Sequence, residues 1–349
     1  MAEKTQTLQQ TLGLIADILN PCIAPKQLHE RLGNGTVDWD QMVIVGSKHL
    51  VLPALYCNLQ RKSLLESLPP ELASYLKMLT DINRERNRSL LNEASHISAL
   101  LQQHNIDHVF IKGMGMLAGD NYLDMGERMI GDIDILVAQE QLDKAFDILE
   151  ADGYNHFIKF NYETRNYRHK PRQISNTKLA GVELHGALLR HRYRNLIDVK
   201  DVLAKKNSAN GIAVPCPEHL IKNTIFAQQI NDRGTFFGSL NLKGTYDVIC
   251  TKLHKNDLLK DELSKTKHGS CFLGISSVFF KNLSPSQNTS ISNRYRKSYM
   301  ARLKHQKLSR EIYRAKSVFI NVYDRIMLLL TNESYRAHIL KHKILKEKT

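Results

Sequence analysis

The stretch 129-MIGDIDILVAQEQLDKAFDILEADGY-154 changes rhythm halfway along. From Asp132 to Val137 the residues alternate, so that Asp132 and Asp134 share one face of an extended chain while Ile133, Ile135 and Val137 share the other. From Ala138 onward Leu142, Ala145, Phe146 and Leu149 recur at helical spacing, and Gly153 closes the run. A strand followed by an amphipathic helix is therefore predicted. Acidic residues are poor strand formers. Two of them at the mouth of an apolar strand admit two readings: a half-buried strand with its polar face in water, or a pair of metal ligands.

Working outward, the segment 107-DHVFIKG-113 is a short β-branched and aromatic run closed by glycine, hence a second strand, and "MGMLAGDNYL" reads as a short helix. Another strand is predicted at "AGVELHGAL". Residues 1–104 read as helical throughout. Pro70 and Glu71 mark one helix start, and Leu72, Leu76, Leu79, Leu90, Ala94, Ile97 and Leu101 follow at three- and four-residue intervals. After Pro215 the helical rhythm returns in "PEHLIKNTIFAQQIN", "TFFGSLNLKGTYDVICTKL" and "KDELSKTKHGSCFLGISSVFF". The expected fold class is α+β, a small mixed sheet flanked by helical regions at both ends. Its expected parts are an N-terminal helical region (1–104), an α/β core (105–212), a helical region packed on the core (213–283), and a linker with a basic amphipathic tail (284–349).

On one strand face the Cβ atoms of Asp132 and Asp134 should lie roughly 7 Å apart. Their oxygens can converge on Mg²⁺, which takes oxygen ligands at about 2.1 Å. Glu183, flanked by the outward Val182 and Leu184, is the natural third carboxylate. Such a set could hold two ions side by side against a phosphate. His185 lies two residues further on the same face, where it either orients Glu183, takes a proton from an acceptor hydroxyl, or simply accepts a hydrogen-bonding place beside a carboxylate. Gly113 ends a strand and begins a helix, a turn that lets backbone approach an anion closely. Lys112 and Arg128 are the charge partners for phosphate. Their bland alternatives are a solvated lysine and a surface ion pair with Glu127. The runs "RHKPRQ" and "LLRHRYRN" add basic residues, among them Arg190, Arg192 and Arg194, which could meet an anionic acceptor or form a solvated face.

Taken together, "IKGMGMLAGDNYLDMGERMIGDIDILV" and "VELHGAL" resemble the uncharacterised nucleotidyltransferase family of the DNA polymerase β superfamily. Its members show a lysine–glycine turn, a downstream arginine, a D-x-D strand and a later acidic-hydrophobic-histidine strand. The resemblance extends over about residues 50–260, and "PEHLIKNTIFAQQIN…YDVIC" is similar to the family's helical second half. It implies a polymerase β-like core in which Asp132, Asp134 and Glu183 carry metal and Gly113 belongs to the phosphate loop. It further implies Mg²⁺ or Mn²⁺ as cofactor and a nucleoside triphosphate, ATP first among them, as substrate. The acceptor is left open between a small molecule, a glycan intermediate, a protein and an RNA end. Met114 and the long segment between Gly113 and Asp132 depart from the superfamily pattern.

The formal charge of +14 is uneven: residues 281–349 carry 16 Lys and Arg against 4 Asp and Glu. The tail "SREIYRAKSVFINVYDRIMLLLTNESYRAHILKHKILK" interleaves those cations with Ile312, Val318, Phe319, Val322, Ile326 and Leu329. Such a helix can pack on the body, lie on an anionic membrane surface, or follow a polyanion such as nucleic acid. Five scattered cysteines, none in a CxxC pair, suggest neither zinc nor disulfides. With no membrane-length apolar run and no signal-like start, the expected setting is the cytoplasm, including the membrane periphery. A rival from another class is a non-catalytic adaptor that keeps the fold and uses its tail to bind a partner.

Overall fold

A computed structural model describes residues 6–163, 167–209, 211–286 and 289–341. Helices α1 (Leu8–Leu19), α2 (Pro25–Leu32), α3 (Trp39–Lys48) and α4 (Leu52–Arg61) lead to the long α5 (Pro70–Gln103). Pro70 occupies the first helical position of α5, where a missing N–H costs nothing. Then come β1 (His108–Ile111), α6 (Lys112–Ala118), β2 (Ile133–Val137), α7 (Leu142–Ala151), β3 (His156–Ile158), β4 (Arg172–Ile174) and β5 (Val182–His185). The five strands form one sheet in the order β1-β2-β5-β4-β3. β2 and β5 run parallel, and the other neighbours are antiparallel. This is the α+β arrangement the sequence predicts, a small mixed sheet with helical flanks.

The chain continues through α8 (Val199–Ala204) and the hairpin β6 (Asn207–Ala209)–β7 (Ile212–Val214). Helices α9 (Pro217–Phe226), α10 (Gly234–Phe237), α11 (Leu242–Cys250), α12 (Asp257–Ser264), α13 (Lys267–Ser276) and α14 (Ser290–Lys304) follow. The last two described helices are α15 (Gln306–Thr331) and α16 (Glu333–Ile339). No described helix is long and apolar enough to cross a membrane.

Alternation along β2 and β5 sorts the sheet into two faces. Ile133, Ile135, Val137, Val182 and Leu184 are fully buried with Leu90, Ala94, Ile97 and Leu101 of α5 and Leu142, Ala145 and Leu149 of α7. Removing one such leucine side chain to alanine costs about 2–5 kcal/mol. The opposite face carries Asp134, Glu183 and His185, so the same packing that holds the strands also aims the polar set. α6 lies tight against β1. A Cβ on Gly115 would come within 2.3 Å of the Phe110 carbonyl oxygen, so only glycine allows this approach.

Within the tail α14 packs on α13, and α15 departs from the body-packing alternative. α15 buries none of its residues, and Val318, Phe319, Ile326 and Leu329 are 63%, 61%, 49% and 41% exposed. Its attachments are polar or peripheral: Asp324 pairs with Arg233 at 2.6 Å, Lys316 Nζ donates to the Phe236 carbonyl at 2.8 Å, and Tyr313 meets the Phe237 ring. At 100° per residue those three contacts fall on one side of the helix, and Leu308, Ile312, Phe319, Val322, Ile326 and Leu330 on the other. Residues 342–349 of the basic tail lie outside the described residues.

Candidate metal and nucleotide site

The register of three strands assembles the site. Asp134 on β2 stands opposite Ile111 of β1 on one side and Glu183 of β5 on the other. Lys112, the residue after Ile111, therefore arrives beside Asp134, and its Nζ donates to Asp134 Oδ1 at 2.6 Å. Lys112 bends the chain from strand into helix with a positive φ of 53°. His185 Nε2 is 2.8 Å from the same Oδ1 and 3.6 Å from Glu183 Oε2. Ligand atoms of Asp134, Glu183 and His185 all fall within 4.8 Å of one another. His185 is 1% exposed, and its Nδ1 has no hydrogen-bond partner.

Burial works to raise the Asp134 carboxyl, but the hydrogen bond from His185 and the charge of Lys112 outweigh it and hold the group below its ordinary value. Glu183 shows the same contest. Burial pushes it up, and His185, His169 and Arg172 pull it well below the usual carboxylate range. Both acids are thus ionised at neutral pH, as metal ligation requires.

Asp132 is placed differently. β2 begins at Ile133, so Asp132 precedes the strand and does not join the close group of Asp134, Glu183 and His185. Its Oδ2 lies 2.6 Å from Arg172 Nη2, and the same guanidinium donates to Glu183 Oε1 at 2.9 Å from Nη2 and 3.1 Å from Nε. Burial and the neighbouring Asp134 and Glu183 raise the Asp132 carboxyl, with Arg172 opposing. Arg172 belongs to β4, and Gly181 clears its path: a Cβ there would sit 2.9 Å from Arg172 Cδ. His169 stands beyond Glu183, its Nε2 3.8 Å from Oε2 and its Nδ1 donating to the Lys170 carbonyl at 2.7 Å.

Gly113 is buried, and a Cβ on it would meet Ile130 Cγ1 at 3.2 Å and Arg128 Nη2 at 3.8 Å. Arg128 corrects the alternative of a surface ion pair with Glu127. It is 8% exposed, with Nε 2.9 Å from Asp247 Oδ1, and Asp247 also accepts from the Tyr122 hydroxyl at 2.6 Å. Glu127 is taken instead by Arg61 and by the Tyr246 hydroxyl. The backbone here is pinned by α5, where Asn83 and Asn87 both donate to the Arg128 carbonyl. Arg128 therefore braces the turn from beneath and is already paired. Arg190 donates to the Asn231 carbonyl at 2.8 Å.

Several participants escaped the sequence reading. Lys243, on α11, is lowered to about 8 by burial and by Arg128. The charges of Lys112, Arg168, Lys243 and Arg190 oppose the rise that desolvation gives the Asp232 carboxyl. Arg172 and His169 lay in "RHKPRQ", whose basic character was visible and whose partner was not.

The two carboxylates are donors suited to Mg²⁺ or Mn²⁺, while the imidazole nitrogen beside them suits a softer ion than Mg²⁺. Lys112 and Arg172 neutralise those acids in the metal-free arrangement, and His185 hydrogen-bonds to Asp134. No curated protein and no solved structure matches the chain. The signature of the uncharacterised nucleotidyltransferase family does, over residues 35–263, a span that covers β1, α6, β2, β5 and α11, and the chain belongs to that family.

Proposed function

We propose that this protein uses Mg²⁺ to move a nucleoside monophosphate from ATP to an acceptor hydroxyl, releasing pyrophosphate. The observation that carries the reading is the convergence of Asp134, Glu183 and His185 next to Lys112, inside the family region. Asp134 and Glu183 would hold the metal, with His185 orienting them, and Asp132 would join them once Arg172 gives way. A divalent ion there supplies charge stabilisation to the α-phosphate and to the attacking oxygen. Lys112 and Lys243 receive the β- and γ-phosphates at the Gly113 turn, while Arg128 braces that turn. The acceptor oxygen bonds to the α-phosphorus as the bond to pyrophosphate breaks, and the hydroxyl proton leaves to solvent. Incubation with α-labelled ATP, Mg²⁺ and a filtered extract supplying acceptors tests this. Label should pass to a new product with wild type and not with Asp134→Asn. Equal transfer by both proteins contradicts it.

A second reading, the non-catalytic adaptor, draws support from one observation. Neighbouring acids are costly only when uncompensated, and here Lys112 and Arg172 compensate them without metal. An adaptor would bind nucleotide weakly or without regard to Mg²⁺.

The outward face of α15 favours a peripheral membrane setting. Lys307, Arg314 and Arg325 lie along one flank of the exposed apolar stripe, which matches the demands of an anionic bilayer surface. Cutting after His305 removes α15 and α16 but keeps α14, whose Leu303 is buried. The shortened protein should melt as before and lose sedimentation with anionic liposomes. Retained sedimentation contradicts the membrane role.

A further inference from the structure

On the β4 side of the carboxylates a cavity of about 600 Å³ opens beside His169. Its walls are aromatic: Phe160 packs against Tyr162 at 5.4 Å and Tyr167 at 5.7 Å between ring centroids. Tyr167 meets His169 at 4.6 Å, and His169 meets the His185 ring at 5.0 Å. The aromatic wall thus runs from solvent to the candidate metal ligands without a break. α16 supplies the facing wall. Ser334 lines the cavity, Asn332 Nδ2 donates to the Glu163 carbonyl at 2.7 Å, and Tyr162 meets Tyr335 at 4.9 Å.

We propose that this cavity receives the acceptor, and that the acceptor is a ring-bearing alcohol, neutral or anionic. The inference rests on the nucleotidyl-transfer reading above. In a direct displacement the attacking oxygen and the leaving pyrophosphate stand on opposite sides of the α-phosphorus. Lys112 and Gly113, which follow β1, place the triphosphate on the β1 side of the carboxylates. Sheet order then puts β5, His169 and the cavity on the attacking side. The size suits a nucleotide or a phosphorylated sugar. A flat nucleobase stacks on Phe160 and Tyr167, a pyranose lays its C–H face on them, and both side chains are open to a ligand, at 49% and 42% exposure. Lys159 and Lys170 against the single Glu163 at the rim do not favour a cationic ligand.

The test is saturation-transfer NMR on the full chain with two probes, uridine monophosphate for the heteroaromatic source and glucose 1-phosphate for the sugar source. Each is run with and without Mg²⁺ and an ATP analogue bridged by methylene between the α- and β-phosphorus. At least one probe should bind wild type and remain bound when the analogue is added. Phe160→Ala and Tyr167→Ala should weaken the probe about tenfold, the order expected for one stacking partner, and leave analogue affinity unchanged. Tyr335→Ala, on the facing wall, should weaken it too. Because Phe160 and Tyr167 are surface residues, an unchanged melting curve certifies the variants. Binding of neither probe, equal binding by the variants, or displacement by the analogue overturns the proposal, the last by assigning the cavity to the nucleobase. Probe binding without any analogue binding overturns nucleotidyl transfer, and the acceptor role with it, while the cavity itself still binds.

Discussion

Arg172 grips Glu183 Oε1 with two nitrogens, Nη2 at 2.9 Å and Nε at 3.1 Å, and from the same Nη2 reaches Asp132. The guanidinium lies where a cation shared by those two acids would sit. An arginine in that position competes with metal and replaces its charge when metal is absent. Arg172→Met should therefore lower the melting temperature of the metal-free protein, by about 1–3 kcal/mol of lost stability, and tighten Mn²⁺ binding. Added Mn²⁺ should restore most of the lost stability. Melting curves with and without Mn²⁺ check both halves, and weaker Mn²⁺ binding by the variant would make Arg172 an organiser of the site instead of a competitor.

The two aspartates of the D-x-D strand should differ in stability. Asp134 is buried and accepts from Lys112 and His185, so Asp134→Asn leaves two donors short of a charged partner and should cost about 1–3 kcal/mol. Asp132 is half-buried and raised by its acidic neighbours, so Asp132→Asn should leave stability level or improve it. Urea titrations of both variants decide this. The sequence alone suggests equal behaviour, and equal losses would mean that the contacts of Asp134 carry little energy.

For turnover, Glu183→Gln should reduce kcat by about 100-fold or more with little change in the KM for ATP, and His185→Ala should be milder, about tenfold, if its part is to orient the two acids. Steady-state kinetics with the acceptor found by label transfer gives the comparison. A larger loss for His185→Ala would make the imidazole the essential ligand.

Lys243 predicts a pH dependence. Its folded value of about 8 lies below the ordinary 10.5, so the charged form is disfavoured on folding. The free protein therefore pays a stability cost below about pH 8 that fades as pH rises toward 10.5. Lys243→Met should be the more stable protein at pH 7 in the absence of nucleotide. ATP, an anion, should bind best to protonated Lys243. Affinity should fall above about pH 8 in wild type, and the variant should lack that step and bind about tenfold more weakly at pH 7. Titrations from pH 6 to 9.5 measure it, and identical profiles would remove Lys243 from the nucleotide site.

How much of this was legible in the sequence follows from the range of each interaction. β2, α7 and the apolar face of α5 were readable because alternation and helical spacing are local. Asp134, Glu183 and His185 were readable as candidates because their faces follow from the same alternation. Asp132 was misplaced by a single residue at the strand boundary, the least certain feature of any local pattern. Arg172 and His169 were invisible as partners because their position depends on β4 pairing with β5, and Arg128 because Asp247 lies more than a hundred residues away. Spacing recognised α15 as amphipathic, yet spacing carries no information on which side faces the body.

The most direct test of the central claim is isothermal titration of ATP into the protein with and without Mg²⁺, repeated with Asp134→Asn. Metal-dependent transfer through Asp134, Glu183 and His185 predicts binding by wild type that requires Mg²⁺ and disappears in the folded variant. Binding that ignores Mg²⁺, or that survives Asp134→Asn unchanged, would contradict it and leave the fold serving an adaptor.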